Sequence, residues 1–81
     1  MSNKDKLEEL LVEVLVLEEG EFRFDLMRDE VDSWDSLAVV ALAVGIEETF
    51  GYHMQPEEAL GIRGVRDIID LLESKGIRFD E

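Results

Sequence analysis

The sequence predicts an all-α domain, a four-helix bundle of three longer helices and one short one, with a long loop between the first and second helices. Three observations predict it. Apolar residues recur at helical spacing in three separate stretches, around Leu7, Val39 and Val65. The one alternating stretch, Phe22 and Phe24, has no second strand elsewhere in the chain to pair with. Gly51, Pro56 and Lys75-Gly76 stand where helices must stop or start. With 81 residues the chain can bury one modest core and no second one, so residues 1–81 are expected to form a single domain.

Ser2 can cap the first helix, with Asp5 three residues later in place of the Glu of a capping box. Leu7, Leu10, Leu11 and Val14 fall at i, i+3, i+4 and i+7, and Val12, Val16 and Leu17 widen that face. The helix is therefore expected from about residue 3 to about residue 17, with Gly20 just past its end as the left-handed stop. Residues 18 to 35 form the long connection, with eight acidic side chains against two basic ones, Arg23 and Arg28. Its scattered apolar residues, Phe22, Phe24, Leu26, Met27, Val31 and Trp34, are expected to pin it to the core, with one helical turn around Asp25 to Arg28. A loop of this length in a small domain is usually functional or disordered.

The second helix is expected from Ser36 to Phe50, stopped by Gly51. Val39, Leu42, Ala43, Ile46 and Phe50 form its core face, and Leu37, Val40, Ala41 and Val44, then Glu48, form a second stripe beside it. Residues 37 to 46 carry no charge. A helix so apolar is either buried nearly all round or offers one face to a partner, and full burial is hard to arrange in a domain this small. Pro56, followed by Glu57 and Glu58, starts a short helix that Gly61 and Gly64 confine to a turn or two. Val65, Ile68, Ile69 and Leu72 are the core face of the last helix, which Lys75-Gly76 closes.

Composition excludes several functions. An apolar content of 46% argues against disorder, and no apolar run approaches the ~18 residues of a membrane span. Met1-Ser2-Asn3-Lys4 lacks the apolar core of a signal peptide, so a cytoplasmic address without membrane partners is expected. With no cysteine, disulfides and thiolate metal sites are ruled out, and any thiol chemistry must come from a cofactor. A net charge of −13 makes nucleic acid a poor partner and a basic patch on a protein a good one. The acids at 25, 29, 32 and 35 lack the EF-hand spacing and its turn glycine, so weak, nonspecific cation binding is expected there and no metal site.

The stretch Asp32-Ser33-Trp34-Asp35-Ser36-Leu37 joins the acidic loop to the uncharged helix. A serine at that join lies at a helix start, where free backbone N–H groups and the helix dipole favour an anion such as a phosphate diester. The plain alternative for Ser36 is a capping or first-turn serine, and Asp35 is more simply an N-cap than a chemical group. Ser33 competes with Ser36, because Asp32-Ser33 repeats the local pattern. Trp34 is expected to cover the helix entrance, and His53 to be a solvated loop residue. That histidine lies past the far end of the second helix, about 20 Å from Ser36 if the helix is intact.

Asp35-Ser36-Leu37 at the head of an apolar helix resembles the phosphopantetheine-attachment site of acyl carrier proteins. The similarity continues through Ile46-Glu47-Glu48-Thr49-Phe50-Gly51-Tyr52, the Pro56 helix, and Val65 to Leu72, and so covers roughly residues 3 to 75. The resemblance implies a bundle whose Ser36, flanked by Asp35 and Leu37, receives 4′-phosphopantetheine from coenzyme A through a phosphopantetheinyl transferase. The arm's thiol would then carry an acyl group as a thioester. Such a protein is a substrate of acyl- or aminoacyl-loading and acyl-transfer enzymes, expected as a monomer, and is not itself an enzyme.

The bottom-up chemistry agrees, since Ser36 has no neighbouring His or Lys to activate it. A bundle lined by Val39, Ala43, Ile46, Ile62 and Ile69 offers space for part of an acyl chain. Partners are expected to meet Leu37, Val40, Ala41 and Val44, with Glu47 and Glu48 steering their approach. Carriers of fatty-acid biosynthesis usually display acids along that helix. Here Ala38 and Ala41 occupy the matching positions, which points to a specialised lipid or polyketide-type pathway. Trp34-Asp35-Ser36-Leu37 also resembles the sites of aminoacyl, D-alanyl and peptidyl carriers, the alternative reading. Two further classes are an unmodified acidic helical adapter and a small hydrolase, the latter requiring His53 to cross the bundle.

Overall fold

In the computed structural model the chain forms α1 (Asn3–Leu15), α2 (Ser36–Phe50), α3 (Pro56–Leu60) and α4 (Val65–Ser74). It describes residues 2–18 and 20–79, so Glu19, one of the acids of the long loop, lies outside it. There is no strand among the described residues. The four-helix, all-α expectation holds.

Ser2 caps α1 by accepting the Asp5 N–H at 3.1 Å. The helix stops at Leu15, two residues earlier than the apolar spacing suggests. Val16 takes the left-handed conformation at φ 53°, and the Leu17 N–H turns back to the Val12 carbonyl at 3.0 Å. The stop is therefore Val16 and not Gly20, which is left-handed at φ 88° but sits further along the loop. A β-branched residue in this conformation costs about 1–2 kcal/mol. Val16 is also 81% exposed, so it does not widen the buried face of α1.

The loop is held at three places. Its helical turn forms at Arg28–Glu30, three residues later than expected, because the Glu30 carboxylate collects the Met27 N–H and the Arg23 guanidinium, both at 2.9 Å. These two donors hold the Glu30 carboxyl below its ordinary range, the Met27 N–H contributing most. Ser33 Oγ donates to the carbonyl of Leu15 at 2.6 Å and so satisfies one open group at the end of α1. Just ahead of the turn, Arg28 N–H donates to Arg63 O at 2.7 Å and Val65 N–H to Leu26 O at 3.0 Å, a single antiparallel bridge of Met27 with Gly64. Leu26 and Trp34 are buried in consequence.

In α2 Asp35 accepts the Ala38 N–H at 3.0 Å, and Gly51 ends the helix at φ 77°. Val39, Leu42 and Ile46 are buried, with Ala43 and Phe50 partly so. Ala38 is buried too, which the helical stripe did not assign to the core. Pro56 opens α3, whose end at Gly61 keeps a right-handed backbone. Val65, Ile68, Ile69 and Leu72 fill the core from α4, and Lys75 and Gly76 close it. Phe79 folds back to bury itself against Phe50, with ring centroids 5.7 Å apart.

Gly64 marks the close approach of two backbones. A Cβ there would lie 2.8 Å from Leu26 O and 2.9 Å from Met27 Sδ. Gly64→Ala is expected to destabilise the fold by about 1–3 kcal/mol, the range for overpacking. Gly61→Ala, whose nearest neighbour would be 3.3 Å away, serves as the control. Urea unfolding of the two variants checks this, and equal midpoints would show that the bridge yields at little cost.

Tyr52 Oη donates to both Glu58 carboxylate oxygens, at 2.7 and 2.8 Å. This bond, helped by the Gln55 N–H, lowers the Glu58 carboxyl, and the same carboxylate raises the Tyr52 hydroxyl. Around the ordinary Glu value of about 4.3 the unfolded chain binds more protons at this site. The contribution of Glu58 is therefore complete above that value and lost as pH falls toward the lowered folded one. Tyr52 works in the other direction, favouring the fold below about pH 10 and losing effect as pH rises past it. Unfolding of the wild type and Tyr52→Phe across pH should give a gap that is widest between about pH 5 and pH 9 and narrows outside. A gap that stays constant would rule out this linkage.

Candidate functional site

The hydroxyl of Ser36 is exposed at the first position of α2 and has no hydrogen-bond partner among the described residues. The backbone N–H groups of Ser36 and Leu37 are likewise unengaged, whereas Asp35 takes the Ala38 N–H. The local sequence produces this arrangement. Asp35 caps, the serine follows it outward, and the loop before them is fastened by buried Trp34, whose carbonyl accepts Arg28 Nε at 3.0 Å. The start of α2 is thus a fixed platform with an open helix end, suited to an anion. Ser33, the competing serine, spends its hydroxyl on Leu15 O.

Among the described residues no base is hydrogen-bonded to the Ser36 hydroxyl. His53 is exposed and pairs its Nδ1 with Glu47 Oε1 at 3.1 Å, beyond the other end of α2. The 15 residues of that helix span about 22 Å. Among the described residues no group of three or more His, Asp or Glu is placed to hold a metal ion. Among the described residues no helix is long and apolar enough to cross a membrane.

The second stripe of α2 faces solvent. Leu37 is 80% exposed, Val40 62% and Val44 52%, with Ala41, Glu47 and Glu48 also exposed. Val40 and Val44 therefore do not pack against the long loop. Of the two alanines read as replacing surface acids, only Ala41 lies outside; Ala38 belongs to the core, where an acid would be costly.

The proposed acyl lining divides differently. Val39, Ile46, Ile62 and Ile69 are buried and Ala43 is partly buried, all within one packed core. Ile62 alone of these borders a groove of about 540 Å³, whose walls also include Met27, Arg28, Trp34, Leu60 and Arg63. The sequence reading missed this groove. Met27 and Leu60, 42% and 59% exposed, belong to segments that the bridge at Gly64 joins across the chain, so no local pattern announces them.

No known family profile matches the chain, and no solved structure matches it significantly. Curated relatives do, among them the following three. An acyl carrier protein of Coprothermobacter proteolyticus is 34% identical over 71 residues, covering 85% of this chain and 84% of the relative. That of Petrotoga mobilis is 33% identical over 72 residues, covering 88% and 84%. That of Solidesulfovibrio magneticus is 32% identical over 75 residues, covering 93% and 96%. Matches of this length all include the start of α2 at Ser36. On that similarity, the chain belongs to the acyl carrier protein family.

Proposed function

We propose that this protein is a carrier, not a catalyst, and that Ser36 holds a 4′-phosphopantetheine arm on which acyl groups ride as thioesters. The observation that carries the reading is the free Ser36 hydroxyl on a fastened helix start, beside a second serine whose hydroxyl is already engaged. The residues present fit such a group. Its phosphate would sit against the open Ser36 and Leu37 N–H groups, with Asp35 holding the helix end in shape. The arm supplies the thiol that a chain without cysteine lacks. Coenzyme A is the donor and a phosphopantetheinyl transferase provides the missing base.

The same reading treats residues 1–81 as one monomeric carrier domain working in the cytoplasm. A specialised lipid or polyketide-type pathway suits it better than bulk fatty-acid synthesis. Support comes from the exposed aliphatic face of Leu37, Val40, Ala41 and Val44 beside the attachment serine. A second reading, an aminoacyl, D-alanyl or peptidyl carrier, rests on Trp34-Asp35-Ser36-Leu37, which also resembles the sites of those carriers. Part of an acyl chain would lie among Val39, Ala43, Ile46, Ile62 and Ile69, entering where Ile62 meets the groove.

Incubation with a broad-specificity transferase and coenzyme A is expected to add one arm to the wild type and to Ser33→Ala, and none to Ser36→Ala. Intact-protein mass spectrometry reads the result. An arm on Ser36→Ala would overturn the assignment.

Docking of loading enzymes should depend on the aliphatic face more than on charge. Burial of one aliphatic side chain is worth roughly 1.5–3 kcal/mol, against about 0–1 for an exposed ion pair. Ala41→Glu with Val44→Glu is expected to leave the helical circular dichroism intact and to lower kcat/KM of the cognate loading enzyme about tenfold or more. Undiminished transfer would show that partners do not use this face.

A further inference from the structure

The exposed stripe of α2 continues across Gly45 onto α1. A groove of about 590 Å³ runs between the two helices, floored by Leu10 and Val14 of α1 and by Ala41, Val44 and Gly45 of α2. Leu10 of α1 lies directly over Gly45, where a Cβ would meet the end of its side chain. A second depression continues the groove along Leu10 and Thr49 toward Lys6 and Glu9.

Acids predominate on the lips on both sides, with Lys6 one turn before Glu9 at the far end. Glu9 and Glu13 stand one helical turn apart on α1, and Glu48 faces them from α2. None of the three has an ion pair among the described residues. Like charges one turn apart disfavour a helix, and these lie on a chain already carrying −13. An apolar floor between two unpaired acidic lips is complementary to one shape and charge pattern, an apolar ridge with cations on either side. An amphipathic helix presents that pattern.

We propose that the α1–α2 groove receives an amphipathic helix of a partner protein, its apolar ridge on Leu10, Val14, Ala41 and Val44 and its lysines or arginines on Glu9, Glu13 and Glu48. The site goes beyond the carrier reading and needs no arm. Glu48 lies twelve residues along α2 from Ser36, about 18 Å away. A partner of this kind can bind whether or not the carrier is loaded.

The test uses the full chain with Ser36→Ala, so that its outcome is independent of the attachment reading. The probe is a fluorescent Leu/Lys peptide about four helical turns long, its leucines on one face. A peptide of the same composition with its leucines spread round the helix is the comparison. At about 0.15 M salt, where long-range attraction is screened, the one-faced peptide is expected to bind about tenfold tighter. Glu13→Lys with Glu48→Lys should reduce its binding about tenfold, whereas Asp70→Lys with Glu73→Lys, the same charge change on exposed positions of α4, should not. Circular dichroism confirms that both double variants fold. Equal binding of the two peptides, or equal loss in both double variants, would show attraction to overall charge and overturn the groove.

Discussion

Two backbone hydrogen bonds, Arg28 N–H to Arg63 O and Val65 N–H to Leu26 O, are what the rest of this fold depends on. They tie the middle of the long loop to the start of α4, and three consequences follow from that tie. Leu26 is drawn under the loop, the turn at Arg28–Glu30 forms beside it, and Arg28 is placed to hold the carbonyl of Trp34. Trp34 in turn sets the direction from which the chain enters α2. The position of Ser36 is thus determined from the far side of the sequence, by residues nearly thirty places away.

The helices were legible because their causes are local. Ser36 to Gly51 could be read from an N-cap, an apolar period and a glycine stop, and the same holds for Pro56 and for Val65 to Lys75. The end of α1 was not legible, since a valine is an unfavourable left-handed residue and Gly20 a favourable one. Tertiary contacts decided it. Ser33 answers the carbonyl of Leu15 from eighteen residues away, and nothing in the periodicity of α1 predicts that. The turn of the loop was misplaced for a related reason, because Glu30 gathers donors from both Met27 and Arg23.

The site was legible in its chemistry and only partly in its surroundings. A serine between an acidic loop and an uncharged helix identifies an exposed helix start, and the structure puts Ser36 there with its hydroxyl free. What periodicity cannot supply is the neighbour across each helix. Ala38 looks like a surface position on a single-helix wheel and is 7% exposed, while the groove at Ile62 and the groove at Gly45 both need a second element to exist. Charge then changes along the exposed stripe of α2, whose Ala41 and Val44 belong to both ends. Near Ser36 the surface is aliphatic, and toward Thr49 it acquires carboxylates from both helices. The two regions are suited to partners of different character on one small body.

The central claim is that Ser36, and not Ser33, carries the arm in the living cell. The most direct measurement is peptide-level mass spectrometry on the protein purified from its own source. The account predicts a peptide containing both serines with one phosphopantetheine, fragmenting so that the added mass localises to Ser36. Localisation to Ser33, or a uniformly unmodified peptide from cells in which other carriers are fully armed, would contradict it.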